Sequence, residues 1–281
     1  MKVYPFRIPK RPEENLLVQE DVAPKFYDKL HQHEEIQVSH IISGSGKLVA
    51  GNYVGGFEAG ETFVIGSHVP HLFQSAASEE ASHMISLFFK PDIYHNIFEQ
   101  PELKALKPFF NNAQLGFKVI GAGYAFDGIF TTLTLLDRFD LFLQFFTLLK
   151  QLDQADKLIM GGVGHHKKIT DEQGLRLQKI FDFTMNHFLD DIRLEDVAAQ
   201  IHMTKNAFCR YFKQRTQKTY FQFLIELRIE HACQLLANNG DLTIADAAFA
   251  SGFNCITNFN RKFKAIKGQT PSDFLKGFRA A

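Results

Sequence analysis

The C-terminal part of this chain repeats itself, and the repeat limits the possible folds more than any other feature of the sequence. Residues 208–224 return at an offset of 51 as residues 259–275. The identical positions in the first copy are Phe208, Arg210, Phe212, Lys213, Thr219, Phe223 and Leu224. Just upstream the offset is 50, which pairs Asp196 with Asp246 and places a one-residue difference in the intervening turn. Self-similarity at a fixed period indicates a repeated supersecondary unit, and each copy predicts a short helix, a turn and a longer helix.

Each longer helix should bury one face and expose the other. In the first copy Phe208, Tyr211 and Phe212 lie at i, i+3 and i+4, so they share one face and each full burial contributes about 1.5 to 3 kcal/mol. Thr204 is the expected N-cap of this helix, and Asn254 is the expected N-cap of its counterpart. The remaining side chains, which are mostly basic or amide, are left on the outer face.

Two helix-turn-helix units with basic outer faces favour a DNA-binding function. The second helix of such a unit enters the major groove, where Lys and Arg neutralise phosphates while Asn, Thr and Arg contact base edges. Neither predicted reading helix, 204–218 or 255–268, contains an acidic residue. The candidate DNA-contacting residues are Thr204, Lys205, Asn206, Arg210, Lys213, Arg215, Thr257, Asn258, Asn260, Arg261 and Lys264. A basic stretch is often only a solvated face, but its duplication favours two readers for grooves about 34 Å apart.

Charge is distributed unevenly along the 281 residues. Residues 175–281 contain 15 Lys and Arg against 10 Asp and Glu, whereas residues 1–174 contain 16 against 21. One half is therefore suited to a polyanionic partner. No segment approaches the roughly 18 apolar residues of a membrane span, so we expect a cytoplasmic protein without a membrane partner. The three cysteines show no CxxC spacing, which favours reduced packing residues over a disulfide framework or a zinc finger.

The N-terminal half predicts strands followed by helices. Short apolar runs separated by Gly and Ser between about residues 28 and 90 indicate an antiparallel β unit, and helical spacing follows near 126–152. The stretch 153–174 is the predicted linker, and its His165-His166 pair is interpreted as solvated. The fold class is therefore α+β with two domains. Residues 1–152 form the predicted N-terminal domain, and residues 175–281 form the all-α DNA-binding domain.

The segments "CRYFKQRTQKTYFQFLIELRIEHACQLL" and "SGFNCITNFNRKFKAIKGQTPSDF" resemble the AraC/XylS family of transcriptional regulators over about residues 175–280. The resemblance implies that several positions approach bases or backbone, namely Asn206, Cys209, Arg210, Ile256, Thr257, Asn258, Asn260 and Arg261. Gln217 stands where the family usually has the glycine that ends the first reading helix, so we expect that helix to end differently. Cys209 and Ile256 form no strong hydrogen bonds with bases, which weakens sequence readout at those positions.

A histidine-rich stretch, "HQHEEIQ", marks the N-terminal half. Period-two spacing places His31, His33, Glu35 and Gln37 on one face of a strand, and His71 follows a later strand. The pattern resembles a cupin barrel, in which such residues hold a metal ion. The amide of Gln37 replaces the usual carboxylate, so we expect a small-molecule effector without a metal or cofactor, contacted by His31, His33, Gln37 and His71. A metal-dependent cupin enzyme is the alternative, and histidines that only cap the barrel mouth are another.

The resulting hypothesis is a regulator, not an enzyme, in which an effector in the N-terminal barrel changes DNA affinity by linkage. The family resemblance implies a homodimer formed through the helices near 126–152, and it adds RNA polymerase to the partners, which are double-stranded DNA and the small-molecule effector.

Overall fold

The structure, a computed structural model, describes residues 14–26, 29–76, 81–94, 97–161, 171–238 and 241–279. Its internal contacts divide the chain into two units. The first comprises residues 1–53 and 57–175, and the second comprises residues 54–56 and 176–281. The first unit is rich in β-sheet and the second is helical, so the predicted two-domain α+β class is confirmed.

The first unit contains two sheets, apart from residues 54–56, in the middle of one strand, which are grouped with the second unit. Its described strands are β1 (Leu16–Ala23), β2 (Ile36–Ser43), β3 (Gly46–Ala50), β4 (Tyr53–Phe57), β5 (Thr62–Ile65), β6 (His71–Ser75), β7 (Ser82–Phe89), β8 (Phe117–Val119) and β9 (Lys157–Ile159). Six strands form one sheet in the order β1-β7-β2-β5-β8-β9, and three form the other in the order β4-β3-β6. The β2–β5, β2–β7 and β3–β6 pairs are antiparallel. Closure of these sheets into a cupin-like barrel stays a prediction.

Strand β2 shows how the sequence positions this unit's two cores. Val38 packs in a cluster with the helices, whereas Ile41, beyond it on the same strand, packs in a cluster that includes Leu48 and Phe73 from the smaller sheet. Gln37 and Ser39 are polar but almost fully buried. Neighbouring side chains on a strand alternate between its two faces, so one strand can contribute to an apolar core and also carry buried polar residues. We call Gln37 and Ser39 the buried polar row.

Helices cover the other face of the larger sheet. They are α1 (Lys107–Leu115), α2 (Asp127–Leu133) and α3 (Arg138–Gln154). Asp137 caps α3 by accepting hydrogen bonds from the backbone N–H groups of Phe139 and Asp140, both at 2.9 Å. The later part of α3 is buried, but Phe139 is 68% exposed and Leu143 is 50% exposed. Some of the apolar side chains on this almost continuously apolar helix are therefore left exposed by the first unit.

The segment predicted as a linker, 153–174, is partly structured. Helix α3 continues to Gln154, and strand β9 pairs antiparallel with β8 at the edge of the larger sheet. Met160 is buried in a core cluster and its N–H donates to the carbonyl of Gly116 at 2.9 Å. The scarcity of aromatic residues in this stretch predicts a linker, but that prediction is wrong for residues 157–159, because an edge strand of three residues needs few apolar side chains. The His165-His166 pair lies outside the described residues.

The second unit contains seven described helices, and they reproduce the predicted repeat. They are α4 (Asp171–His187), α5 (Leu194–Gln200), α6 (Lys205–Thr216), α7 (Tyr220–Asn238), α8 (Ile244–Ala250), α9 (Ile256–Lys267) and α10 (Pro271–Arg279). Helices α5 and α6 form the first helix-turn-helix, helices α8 and α9 form the second, and α7 contacts α6, α8 and α9. The aromatic anchors Phe208, Phe212, Phe259 and Phe263 are all fully buried, as predicted, whereas Tyr211, predicted as a third anchor of α6, is only half-buried.

The two copies use matching backbone conformations with different residues. The turn inside each helix-turn-helix contains a residue in the left-handed conformation, His202 (φ 55°) in the first copy and Gly252 (φ 81°) in the second. Each reading helix also ends in a left-handed residue, Gln217 (φ 57°) and Gly268 (φ 73°), whose N–H bonds to a carbonyl four residues back. The expectation that α6 ends differently from α9 is therefore wrong, because the backbone tolerates Gln217 in the conformation that glycine adopts more readily.

Candidate functional site

The N-terminus of each reading helix is formed differently. The hydroxyl of Thr204 accepts a hydrogen bond from the N–H of Ala207 at 3.4 Å, so the predicted N-cap of α6 is confirmed. In the second copy the N-cap is Cys255, not Asn254, because α9 begins one residue later than the capping prediction required. Cys255 is exposed and makes no side-chain capping hydrogen bond, but the nearby backbone N–H groups of Asn258 and Thr257 lower the pKa of its thiol.

Most of the candidate DNA-contacting side chains are exposed. In α6 and its cap these are Thr204, Lys205, Asn206, Arg210 and Lys213. In α9 they are Thr257, Asn258, Asn260, Arg261 and Lys264. The buried phenylalanines on the opposite side of each helix fix this orientation, since residues three and four apart share a face.

Arg215 differs from the other candidates because it is half-buried. Its guanidinium lies 5.8 Å from the centroid of the Tyr211 ring, which is the geometry of a cation–π contact. Its Nε is buried and has no hydrogen-bond partner among the described residues. Tyr211 is itself only half-buried, so this pair covers the flank of α6 instead of extending the outward row.

Two of the exposed candidate residues already interact with neighbouring side chains of the same helix-turn-helix. Lys205 Nζ lies 3.0 Å from Glu195 Oε1, and this ion pair lowers the pKa of the Glu195 carboxyl. Arg261 Nη2 donates to Asn258 Oδ1 at 3.1 Å. The sequence places Glu195 only near the start of the short helix, and its partnership with Lys205 depends on the angle of the turn between α5 and α6.

A polar clamp joins the start of the second unit to α7. Arg228 on α7 donates through Nε to the carbonyl of Phe188 and through Nη2 to the carbonyl of Asp190, both at 2.6 Å. Gly252 lies against this clamp, since a Cβ atom there would sit 2.8 Å from the carbonyl oxygen of Leu189 and 2.9 Å from Arg228 Nε. The turn of the second helix-turn-helix is thereby positioned by residues that precede the first. Sequence reasoning had no signal for this long-range contact.

The first unit contains the second candidate site, and it brings together all four ligand-binding candidates. One ring nitrogen from each of His31, His33 and His71 lies within 4.8 Å of those of the other two. Gln37 Oε1 lies 3.1 Å from His33 Nε2 and 3.0 Å from His71 Nε2. His33, Gln37 and His71 are almost fully buried, whereas His31 is half-buried. We call these four residues the histidine cluster.

The histidine cluster spans both sheets of the first unit. Gln37 belongs to β2 in the larger sheet and His71 to β6 in the smaller one, while the backbone of His31 forms a bridge with that of His71. Glu35, on the same face in the sequence pattern, lies 3.9 Å from His33 Nδ1. Sequence periodicity groups residues 31–37, the cupin resemblance adds His71, and the fold brings the His71 ring next to them.

Burial sets the protonation of this cluster. Desolvation lowers the pKa of His31 to about 4 and the pKa of His71 well below its usual value. The pKa of His33 is also lowered by burial, although hydrogen bonding to Gln37 opposes this effect. Burial therefore favours the uncharged form of all three rings at neutral pH.

The geometry of the second unit defines a protein class, the helix-turn-helix DNA-binding proteins. Comparison with known proteins agrees, since a family model described as "Helix-turn-helix domain" matches residues 197–277. An uncharacterized HTH-type transcriptional regulator of Bacillus subtilis, YdeC, is 21% identical over 258 residues, covering 89% of this chain and 87% of that protein. The MmsAB operon regulatory protein of Pseudomonas aeruginosa is 31% identical over 108 residues, which span only 35% of its length.

The resemblance to AraC/XylS transcriptional regulators is thereby confirmed. Two solved structures are also similar to this chain at low TM-scores. ToxT from Vibrio cholerae covers 95% of this chain at 13% identity and a TM-score of 0.38, and the DNA-binding domain of AdpA in complex with a target DNA covers 37% at 25% identity and 0.35. In the described part of the chain, every helix is too short or too polar to cross a membrane.

Proposed function

We propose that this protein is a sequence-specific DNA-binding transcriptional regulator whose two reading helices contact double-stranded DNA, and that it is not an enzyme. The observation that carries the proposal is the pair of equivalent helices, α6 and α9, each with buried phenylalanines on one side and exposed basic and amide residues on the other. Chromosomal DNA as the partner implies a cytoplasmic protein.

The contacts divide by chemistry. Arg210 and Arg261 occupy equivalent positions one turn inside their helices, where a planar guanidinium can bond both N7 and O6 of a guanine. Lys205, Lys213 and Lys264 are point charges suited to phosphates. The exposed amides and hydroxyls of the two helices, Thr204, Asn206, Thr257, Asn258 and Asn260, are suited to base edges and sugar-phosphate oxygens. The half-buried Arg215 approaches DNA only if it leaves Tyr211.

Footprinting on an operator fragment tests this proposal. Protection of two adjacent major grooves by each subunit supports it, and protection of one groove contradicts the paired readers. Changing Arg210 or Arg261 to Ala should cost about 1 to 3 kcal/mol of specific binding if the side chain contacts a base. A phosphate contact would instead reduce the slope of log affinity against log salt by about 1. Lys104→Ala removes an exposed charge from the first unit and should change neither quantity.

The same proposal assigns regulation to the first unit. An effector that contacts the histidine cluster would shift DNA affinity by the difference in its own affinity for two states of the protein. The buried polar row supports this assignment, because Gln37 also donates to Ser39 at 2.8 Å, and Ser39 lies 2.8 Å from the hydroxyl of Ser86. Buried polar groups are costly where a hydrogen-bond partner is missing, so a polar row of this kind can bind a ligand that supplies donors or acceptors.

A homodimer formed through α3 completes the proposal. Phe139 and Leu143 lie one turn apart on the same face of α3, and both are at least half exposed. Exposed neighbouring apolar side chains of this kind mark association surfaces. Replacing both residues with Ser should convert a dimer to a monomer in sedimentation experiments, whereas Thr131→Ser, an exposed change on α2, should not. A wild-type chain that sediments as a monomer would contradict this part.

A further inference from the structure

Two ion pairs tie the ends of the reading helices to α7. Lys218 lies two residues beyond the end of α6, and its Nζ is 2.5 Å from Glu226 Oε2. Lys267 is the last residue of α9, and its Nζ pairs with Glu230 Oε1. Glu226 and Glu230 are four residues apart on α7, so they lie one turn apart on the same side of that helix. We call these four residues the α7 ion-pair network.

The α7 ion-pair network is largely shielded from solvent. The side chains of Lys218, Glu226 and Lys267 are 20–24% exposed, and that of Glu230 is 8% exposed. In such a site the loss of one charge leaves its partner uncompensated. The sequence repeat does not create these links, because the offset of 51 places Thr216 opposite Lys267. Two different positions therefore supply the same connection in the two copies.

The four charges act on one another. Burial raises the pKa of the Glu226 carboxyl, Lys218 opposes that rise, and the charges of Glu230 and Lys267 also contribute. Burial lowers the pKa of Lys267, but nearby negative charges, first that of Glu230 and also that of Glu226, raise it overall. The end of α6 and the end of α9 are therefore joined to α7 by one electrostatic network, not by two separate contacts.

We propose that Glu226 and Glu230 are positioning residues for DNA recognition, which fix the angle between the two reading helices through Lys218 and Lys267. This inference rests on the proposed DNA-binding function and adds the source of its geometry. The buried phenylalanines hold each reading helix against the core, and the ion pairs prevent its C-terminal end from swinging over that core. Apolar residues of similar size often stabilise a protein as well as a buried ion pair does. The network therefore contributes orientation more than stability.

The dimensions of the reading helices make this orientation important. Each has 12 residues and is about 18 Å long, so a tilt of about 10° at its C-terminal end moves its first residues by about 3 Å. Donor–acceptor distances in hydrogen bonds vary by only about 0.5 Å. A tilt of that size would separate Asn206 or Thr257, near the start of its helix, from a base edge.

The test uses charge-neutral double variants of the full-length chain. Glu230→Gln with Lys267→Met removes one ion pair without changing the net charge. Glu226→Gln with Lys218→Met removes the other pair, and it carries the test if thermal melting shows that the first variant fails to fold. Both are compared on the operator found by footprinting and on versions in which one base pair is added or removed between the half-sites. Each such change rotates one half-site by about 35°.

We expect the wild type to prefer one spacing, and each double variant to lose at least about 5-fold of that preference, the effect of one mismatched base pair. Affinity for a random duplex, and its salt dependence, should stay unchanged because the net charge is the same. Lys267→Arg keeps the charge and should restore the preference that Lys267→Met removes. A weaker salt dependence in the Lys267→Met double variant would make Lys267 a phosphate contact and overturn the proposal.

A second measurement needs no DNA. Spin labels at Lys213→Cys and Lys264→Cys, equivalent exposed positions on α6 and α9, report the distance between the reading helices when Cys209 and Cys255 are changed to Ser. We expect one narrow distance distribution with the network intact, and a broader or shifted one in either double variant.

The matched control is Glu99→Gln with Lys107→Met, which removes an exposed ion pair of the first unit and should change neither measurement. An unchanged distance distribution, or an unchanged preference for spacing, overturns the proposal. A wild-type chain that prefers no operator contradicts the proposed regulator function alone, because the spin-label distance still tests the α7 ion-pair network.

Discussion

Lys205 Nζ lies 3.0 Å from Glu195 Oε1, so the first lysine of the reading helix α6 is paired with a carboxylate of the preceding helix. Both side chains are more than half exposed. A surface pair of this kind contributes little to stability. The pair should instead weaken DNA binding, because Glu195 competes with any DNA phosphate that approaches Lys205.

Glu195→Gln should therefore strengthen non-specific DNA binding. The change removes a negative charge near the DNA backbone and frees Lys205 to contact a phosphate. The slope of log affinity against log salt should therefore become steeper by about 1, the amount expected for one additional phosphate contact. Fluorescence anisotropy with a random duplex at several salt concentrations measures this slope. Glu172→Gln, at an exposed position in α4, is the matched control and should leave the slope unchanged. Equal slopes for wild type and Glu195→Gln would place Lys205 away from DNA.

Gln217→Gly should stabilise the second unit. A non-glycine residue in the left-handed region costs about 1 to 2 kcal/mol, and glycine removes this cost. Glycine also has more conformational freedom in the unfolded chain, which offsets part of the benefit, so we expect a net stabilisation of about 0.5 to 1 kcal/mol. Urea unfolding followed by helix circular dichroism measures the difference. The same change at Gln214, an exposed position inside α6, should instead destabilise by about 1 kcal/mol. Destabilisation by Gln217→Gly would mean that the side-chain bond to the carbonyl of Gln214 outweighs backbone strain.

Gly252→Ala should destabilise the second unit by about 1 to 3 kcal/mol. The residue has φ 81°, and a Cβ atom there would lie 2.8 Å from the carbonyl oxygen of Leu189. Gly268→Ala is the matched control, since it has φ 73° but nothing within 4 Å of the added atom. The difference between the two variants isolates the effect of the close approach. If both variants lose the same free energy of unfolding, the approach to Leu189 carries no cost.

Acid should loosen the core around His40. His40 is fully buried, with Nε2 2.8 Å from Asp127 Oδ1 and Nδ1 2.8 Å from Thr62 Oγ1, and its ring stacks on Phe130. Burial lowers the pKa of His40, although Asp127 opposes this shift. The unfolded chain therefore binds a proton that the folded chain resists, and stability falls as the pH drops below about 6.5.

Hydrogen exchange of β2 amides between pH 7.5 and 5, corrected for the intrinsic rate, measures this effect. His40→Asn keeps a polar group near Asp127 but cannot take up the proton, so its protection should depend less on pH than that of the wild type. His187→Asn is the control, because His187 lies in the second unit and is half exposed. A pH dependence that is identical in wild type and His40→Asn would exclude His40 as the titrating group.

The repeat allowed much of the second unit to be predicted, because its information is local. In both α6 and α9, phenylalanines at i and i+4 determine which face is buried, and the observed helices fall within one or two residues of the predicted ranges. The errors occurred where distant contacts decide the outcome. Arg228 bonds carbonyls about 40 residues away, and no local pattern indicates such a bond.

The first unit was harder to predict for the same reason. Strand β1 pairs with β7, about 60 to 70 residues later, and β3 is separated from β4 by a turn at Gly51 (φ 60°). Period two predicted one strand carrying His31, His33 and Gln37, but only Gln37 belongs to β2, and a bend at residues 34–35 separates the two histidines from it. It could not show that His71 completes the group, because that depends on the packing of two sheets.

The length of α7 also has a consequence for how such chains can change. Its 19 residues form a rod in contact with both reading helices, and each residue of an α-helix adds about 1.5 Å and 100°. One inserted residue would rotate α9 by more than a quarter-turn relative to α6, so that only one of them could face a duplex. Natural variants should therefore tolerate changes of sequence along this rod far better than changes in its number of residues.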